Sequence, residues 1–386
     1  MILTGSGRLA PAGPSPWALL VRDGRIAWIG APSDAPNGEH VDLGSALVTP
    51  GLVDSHTHPA FAGDRSDEAA ARLEGASYTD GGILRTVRAT RQADDATLER
   101  LVEARLRASM AAGTTTVECK SGYGLTLDEE LRHLRIIGRV AKRLPIRVVR
   151  TFLGAHAVPP DARSMADYAN QVAEEMIPAV ARERLAEFVD VFADEGFFDL
   201  AATERIGRAA SAAGLGLRLH AEQLRRTGAV ELGVRLGAAS VDHLEQLDAA
   251  GVDRLAGSAA VATLLPAPAV VLRDRMPPAR ALLDAGVRVA LASDANAGTF
   301  GAFGAMPLVV GLGATLLGMT VTEALTASTA GSASALRLDD VGSLRPGAAA
   351  DLVAWDAEHE GAFALRLGSV RPSRIWISGV EIDLSD

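Results

Sequence analysis

Cysteine is almost missing from this chain of 386 residues, in which Cys119 is the only one. An internal disulfide is therefore excluded, and nothing in the sequence indicates an oxidising compartment. Cys119 lies in an apolar stretch, so we expect a small buried hydrophobic residue rather than a reactive group.

Long apolar runs and an N-terminal targeting pattern are also missing. No uncharged apolar run is long enough to span a membrane, and residues 1–8 lack the pattern of a signal peptide. The net charge of −10 argues against nucleic acid and anionic membranes as partners. We therefore expect a cytoplasmic protein without membrane or nucleic-acid partners. With 48% hydrophobic residues, the chain can build a large core.

Both ends of the chain are rich in short strand-like segments broken by Gly and Pro. In residues 1–48, Ala18–Arg22 and Arg25–Gly30 flank an Asp-Gly hairpin signal. Residues 345–386 have the same character, for example in Ala350–Asp356 and Ser373–Gly379. We expect the two ends to pair into one small β-sandwich domain.

The middle of the chain, residues 49–344, alternates β-branched runs with Ala/Leu/Arg-rich helical patterns such as Ala96–Ala111 and Leu127–Arg143. This alternation predicts an α/β fold, a TIM (β/α)8 barrel, whose usual size is about 250 residues. A doubly wound sheet is the alternative, but it would need a Gly-rich phosphate turn after the first strand, and none is present. The eight predicted strands are Val48–His56, Thr114–Lys120, Arg147–Leu153, Phe188–Ala193, Leu217–His220, Ser240–His243, Ala260–Leu265 and Val287–Ala292.

The most informative motif is Asp54-Ser55-His56-Thr57-His58, at the end of the first predicted strand. Residues i and i+2 of a strand point to the same side, so both imidazoles can reach one metal ion. The alternative is two unrelated polar residues at a strand end.

Other polar residues follow further predicted strands, at the face where TIM barrels carry their active sites. Three histidines and one carboxylate suit a zinc or ferrous ion with an open position for water. The set drawn from strands one, five and eight is His56, His58, His220 and Asp294. His156 and His243 then remain for substrate or proton handling, with a hydrogen-bonded structural role as the alternative.

This constellation resembles the amidohydrolase superfamily, in the HxH pair, the single histidines on strands five and six, the strand-eight Asp and the β domain from both termini. Binuclear members place a carboxylated Lys at the end of strand four, where this chain has Asp194-Glu195. Lys120 lies on predicted strand two and should not bridge metals. The departure favours one divalent ion per chain, Zn²⁺ or Fe²⁺.

A closer resemblance is to the imidazolonepropionase family, and it runs over nearly the whole chain. The stretches that carry it are PGLVDSHTH (50–58), ECKSGYG (118–124), TFLGAHAVPP (151–160), HAEQ (220–223) and VDHLE (241–245). The resemblance implies hydrolysis of the ring amide of 4-imidazolone-5-propanoate to N-formimidoyl-L-glutamate, the third step of histidine degradation. It also implies a homodimer that acts on this small molecule.

The resemblance further implies catalytic and substrate-binding residues. Asp294 would ligate the metal and carry a proton, and His243 would orient the nucleophile and stabilise the oxyanion. Gln223 stands where the family often has Glu, which leaves it a hydrogen-bonding role toward the ring. Arg65 would bind the propanoate through its two-pronged guanidinium. The remaining implied contacts are Tyr123, His156, Asn296, Gly298 and Thr299.

Two other functions stay open at this point. One is another amidohydrolase, either a hydantoinase-like enzyme acting on a cyclic amide or a deaminase acting on an aminated base. The other is a non-catalytic barrel that binds a ligand, which the complete set of four ligands argues against.

Overall fold

The computed structural model describes residues 1–11, 13–75 and 81–383. The strands are β1 (Ile2–Gly5), β2 (Trp17–Arg22), β3 (Arg25–Gly30), β4 (His40–Asp42), β5 (Val48–Pro50), β6 (Leu52–Asp54), β7 (Thr114–Lys120), β8 (Arg147–Ala155), β9 (Phe188–Ala193), β10 (Gly216–Ala221), β11 (Ser240–His243), β12 (Val261–Leu264), β13 (Val289–Leu291), β14 (Leu352–Trp355), β15 (Pro372–Ile377) and β16 (Val380–Ile382).

Helices follow most of the barrel strands. They are α1 (Ser66–Leu73), α2 (Gly81–Gln92), α3 (Asp95–Ala111), α4 (Leu127–Ala141), α5 (Met165–Gln171), α6 (Ile177–Glu183), α7 (Leu200–Ala212), α8 (Ala229–Arg235), α9 (Ala249–Ala256), α10 (Pro266–Leu272), α11 (Ala279–Asp284), α12 (Met306–Leu316), α13 (Val321–Thr326), α14 (Ser332–Ala335) and α15 (Ala362–Leu365), with π-helical turns at Val172–Met176 and Ala327–Gly331 and a 3₁₀ turn at Pro32–Asp34. Side chains of Asp94, Thr126 and Asp199 cap the N-termini of α3, α4 and α7. In the described part of the chain, none of these helices has the length and apolar character needed to cross a membrane.

A parallel sheet of eight strands forms the centre of the described residues, with β6 to β13 side by side in chain order. Its two ends meet where Thr57 bridges Ala295 and where the amide of Asp294 donates to the carbonyl of His56 at 3.0 Å. Sequential order and closure confirm the predicted TIM barrel, because a doubly wound sheet reverses its strand order at a switch point.

The first predicted strand, Val48–His56, is wrong as a single element. Val48–Pro50 pairs with β14 in a different sheet, and only Leu52–Asp54 belongs to the barrel. The chain changes sheet at Gly51, where a Cβ atom would lie 2.1 Å from Oγ1 of Thr115. Glycine permits this close approach, so the motif Asp54-Ser55-His56-Thr57-His58 begins at the last residue of a three-residue strand. Each of the other seven barrel strands begins and ends within two residues of its predicted limits.

The β-sandwich also matches the expectation, with one refinement. One sheet has the order β3-β2-β1-β4, and the other has the order β16-β15-β14-β5. Strands β1 to β4 thus form one sheet, and the C-terminal strands together with β5 form the other. The two sheets face each other across a shared core, which includes Trp17, Leu19, Leu352 and Trp376. The hairpin turn at Asp23-Gly24 has positive φ at both residues, as the right-handed strand twist requires.

The domain limits 1–48, 49–344 and 345–386 stay a prediction. Residue 12 and residues 384–386 of the terminal segments lie outside the described residues.

Candidate metal centre and active site

Three imidazoles converge at the C-terminal end of the barrel. His56 Nε2 lies 3.1 Å from His220 Nε2 and 3.2 Å from His58 Nε2. Asp294 Oδ1 lies 3.3 Å from His58 Nε2 and 3.5 Å from His56 Nε2. Four donors at ~2.05 Å from one tetrahedral ion would lie about 3.3 Å apart. The spacing of these atoms therefore fits a single metal ion, and the three histidines form a cluster able to hold one.

Two buried carboxylates determine which nitrogen of these histidines carries the proton. Asp242 Oδ2 lies 2.7 Å from Nδ1 of His56, and Asp190 Oδ2 lies 3.1 Å from Nδ1 of His220. Each carboxylate draws the imidazole proton to Nδ1 and leaves a lone pair on Nε2. Two lone pairs would then face each other at 3.1 Å, and they repel unless a cation lies between them. The donor set therefore fits a metal on chemical grounds as well as on spacing.

A buried charged network lies beneath the cluster. Lys120 Nζ donates to Glu118 and Asp190 at 2.7 Å each, and Arg218 donates to Asp242 at 2.9 Å. All five side chains are fully buried. Burial alone would lower the pKa of Lys120, but Asp190 and Glu118 outweigh it and the pKa is raised. Lys120 is thus a cation held between carboxylates, which compensates the charges of the groups that orient the histidines.

His243 adjoins this cluster in a strained backbone conformation. Its φ is +83°, and that of Leu244 is +72°. Consecutive non-glycine residues in this region cost of order 1–3 kcal/mol each, and such strain concentrates at functional sites. The His243 ring centroid lies 5.3 Å from that of His220. Burial alone would lower the pKa of His243, but Glu245, 3.5 Å from Nδ1, contributes to a net rise.

The loop after β7 and the end of β8 bring Tyr123 and His156 to the same place. The His156 ring stacks on His58 at a centroid distance of 5.2 Å, and Tyr123 lies 5.2 Å from His156. Nδ1 of His156 donates to the carbonyl of Gly122 at 2.9 Å. Burial holds the pKa of His156 well below its usual range, so this side chain is neutral.

Arg65 reaches the site from the segment before α1 and is already paired. Its Nε and Nη2 donate to Glu68 at 2.8 and 2.6 Å. Arg72 also donates to Glu68, and it donates to the carbonyl of Gly298 at 2.7 Å. A Cβ on Gly298 would lie 2.3 Å from Nη1 of Arg65, so the absence of a side chain there leaves room for the guanidinium.

The loop after β13 is folded around Asn296. Its Oδ1 accepts from the amides of Gly298 and Thr299 at 2.7 and 2.9 Å, and its Nδ2 donates to Thr299 Oγ1 at 2.7 Å. Gln223 follows β10, and its backbone N–H donates to the Asp194 carboxylate at 2.9 Å.

All of the predicted site residues except His56 and Gly298 line one cavity of about 30 Å³. His56 lies beneath it, against Asp242, and Gly298 lies behind Arg65. The residues on the cavity wall are His58, Arg65, Ile83, Tyr123, His156, Phe192, His220, Gln223, His243, Asp294, Asn296 and Thr299.

The sequence interpretation missed the carboxylates that orient these groups. Asp242 and Glu245 fall in the VDHLE stretch, but neither is assigned a role from it. Asp190 lies inside a strand and outside the recognised stretches, and Glu68 and Glu130 lie on helices. Strand alternation could have revealed one pair. Glu118 and Lys120 are two residues apart on β7, so both side chains point into the barrel.

Comparisons with known proteins agree with this geometry. Residues 47–382 match the model of the Amidohydrolase family. The imidazolonepropionase of Salinispora arenicola is 48% identical over 367 residues, covering 94% of this chain and 91% of that protein. The imidazolonepropionase of Rhizorhabdus wittichii is 45% identical over 368 residues, covering 92% of each.

Solved structures show the same fold at low identity. The 5-methylcytosine deaminase of Klebsiella pneumoniae has a TM-score of 0.79 at 17% identity, covering 100% of this chain and 98% of that one. An adenosine deaminase of Xanthomonas campestris with bound zinc has a TM-score of 0.73 at 19% identity, covering 98% and 92%. At such identities the structural matches establish the fold alone, and the sequence matches establish the family. The chain therefore belongs to the amidohydrolase family and, within it, to the imidazolonepropionase group.

Proposed function

We propose that this protein hydrolyses the ring amide of 4-imidazolone-5-propanoate and releases N-formimidoyl-L-glutamate. One observation carries the proposal: the buried His/Asp cluster and the guanidinium of Arg65 open onto the same small cavity. The His/Asp donors suit a metal ion that acts on an amide, and the guanidinium suits the carboxylate of a small anionic substrate. The relatives named imidazolonepropionase support the same substrate.

The proposed ligands of one divalent ion are His56, His58, His220 and Asp294, with Zn²⁺ and Fe²⁺ both compatible with these donors. Such an ion, when bound, lowers the pKa of water toward about 7 and polarises a carbonyl group. Support for one ion comes from the other carboxylates and the lysine, which have other partners. Asp194 accepts from the amides of residues 223–225, and Lys120 lies between Glu118 and Asp190.

Asp294 and His243 would share the proton and charge handling. Asp294 accepts the proton of the attacking water and delivers it to the leaving ring nitrogen, because it faces the cavity beside the cluster. His243 orients the nucleophile and donates to the oxyanion as it forms. Its raised pKa favours the protonated, donating form. Gln223 supplies a neutral hydrogen-bonding group to the ring.

The other cavity residues would bind the rest of the substrate. Arg65 takes the propanoate through its guanidinium, while Tyr123 and His156 contact the ring. Asn296, Gly298 and Thr299, in the loop after β13, contact substrate and product.

Product identification separates the proposal from its alternatives. Purified protein is incubated with enzymatically generated 4-imidazolone-5-propanoate, a hydantoin and an aminated base, and products are identified by mass spectrometry. We expect N-formimidoyl-L-glutamate from the first substrate at a rate far above the other two. Preferential turnover of the hydantoin or the base would assign another amidohydrolase activity, and binding without turnover would assign a non-catalytic barrel.

The proposal extends to a cytoplasmic homodimer without membrane or nucleic-acid partners. Its support is the family resemblance together with the net charge of −10. Light scattering that gives a monomer mass would contradict the dimer.

A further inference from the structure

The loop that follows β7 carries Tyr123 and contacts His156, two of the proposed substrate contacts, and its backbone is strained. Gly122 has φ +113° and Leu125 has φ +55°. A leucine with positive φ is uncommon and costs free energy that other contacts must offset. Contacts with side chains outside the loop must therefore stabilise this backbone conformation.

Glu130, in the first turn of α4, supplies that contact. Its Oε1 accepts from the amides of Gly124 and Leu125 at 2.8 Å each, and its Oε2 accepts from the amide of Gly122 at 3.0 Å. The side chain is fully buried, and no Lys, Arg or His of the described chain forms an ion pair with it. Its hydrogen-bonding capacity goes to the loop.

The same loop orients His156. The amide of Gly122 donates to Glu130, while the carbonyl of Gly122 accepts from Nδ1 of His156 at 2.9 Å. Glu130 thus holds the N–H of Gly122 in place. The carbonyl of the same residue accepts from the His156 ring and so keeps the ring proton on Nδ1. With the proton on Nδ1, Nε2 of His156 is an acceptor, available to an N–H group of the substrate ring.

We infer that Glu130 is a positioning residue, which acts on the substrate through Tyr123 and His156 and does not touch it. The inference rests on the proposed function, since it assigns a role within that site. It predicts that loss of the Glu130 acceptors weakens substrate binding without disturbing the metal ligands, which lie on other strand ends.

The test compares Glu130→Gln with Glu129→Gln as a matched control. In Glu130→Gln, the side-chain NH₂ group replaces one carboxylate oxygen and would face backbone N–H donors. The hydrogen bonds that this oxygen accepts from the loop are therefore lost. Glu129 is the neighbouring residue, and its carboxylate pairs with Arg132 instead of the loop. We expect KM to rise about tenfold or more in Glu130→Gln, with full metal content and a smaller change in kcat. Glu129→Gln should match the wild type.

A double-mutant cycle with His156→Ala separates positioning from general structural damage. If Glu130 acts through His156, the KM increase caused by Glu130→Gln shrinks when His156 is already absent. Fully additive effects on KM would overturn the inference. Should Glu130→Gln fail to fold, Glu130→Asp retains the charge but shortens the reach to the amides, and an unchanged KM in that variant would also overturn it.

Amide hydrogen exchange gives a readout that needs no turnover. Glu130→Gln should speed exchange at Gly122, Gly124 and Leu125, and Glu129→Gln should not. Unchanged protection at these amides would overturn the inference whatever the substrate. Absence of turnover in the wild type, with the exchange result as expected, would instead contradict the proposed function alone.

Discussion

Asp242 accepts a 2.7 Å hydrogen bond from Nδ1 of His56, deep in the barrel and 186 residues away in the sequence. Asp242 also accepts from Arg218 at 2.9 Å, so the carboxylate that orients His56 has its own charge compensated. His243, the next residue, faces the cavity. β11 therefore carries an orienting group for a proposed ligand and, beside it, the proposed oxyanion donor.

Asp242→Asn should weaken metal binding about 10- to 100-fold, because loss of such a partner lowers ligand basicity and orientation. A competition titration against a chelator measures the dissociation constant on folded protein. Asp194→Asn is the control, since its carboxylate binds loop amides and contacts no proposed ligand. Equal affinity in Asp242→Asn and wild type would mean that the hydrogen bond does not tune His56.

His243→Ala should lower kcat roughly a hundredfold or more, since one donor to a developing oxyanion contributes on the order of 3 kcal/mol. Its metal content should stay full. His220→Ala should lose the ion instead, which elemental analysis detects before any kinetics. Loss of metal in both variants would make His243 a ligand, and full activity in His243→Ala would make it a structural residue.

Arg65→Lys should raise KM for the propanoate substrate and leave metal content unchanged. Lysine retains the charge but loses the planar fork, which here must contact Glu68 and a carboxylate at once. Steady-state kinetics with parallel metal analysis tests this. A KM equal to that of the wild type would mean that the propanoate is bound elsewhere.

His133, which does not line the cavity, predicts a pH dependence of stability. It is buried in α4, neither ring nitrogen has a hydrogen bond within the described residues, and burial lowers its pKa to about 3. In the unfolded chain this histidine has a pKa near 6.5, so it binds a proton at pH values where the folded chain does not. The free energy of unfolding therefore falls as pH drops from about 6.5 toward 3.

The low pKa of buried His133 lowers the free energy of unfolding by about 2 kcal/mol at pH 5 relative to pH 8. His133→Leu should therefore lose less stability than the wild type between these pH values, as measured by urea unfolding. His40→Gln, at an exposed position on β4, controls for the loss of a histidine. Identical pH profiles for His133→Leu and wild type would show that His133 is not the group responsible.

Much of the fold follows from local pattern. The β7 and β9 strands match their predicted limits because continuous β-branched runs between turn residues favour buried parallel strands. The first strand was misjudged because the apolar pattern continues from Val48 to Val53 through a change of sheet. The break appears only in the strand pairing, which places Val48–Pro50 beside β14 and Leu52–Asp54 beside β7.

The cavity residues were accessible from the sequence for a different reason. A barrel brings the ends of all its strands to one face, so histidines at strand ends are predicted to meet. The groups that orient them were not accessible. Pairings such as Asp190 with His220 or Glu130 with the Gly122 amide depend on side-chain directions and on loop geometry, which residue spacing does not encode.

The central claim is that one ion at the His/Asp cluster enables hydrolysis of 4-imidazolone-5-propanoate. The most direct measurement strips the protein with a chelator, titrates Zn²⁺ or Fe²⁺ back, and follows the absorbance of the substrate. We predict no turnover in the stripped protein and a return of activity that levels off at one ion per chain. Full turnover without metal, saturation at two tightly bound ions per chain, or no turnover at any metal content would contradict the account.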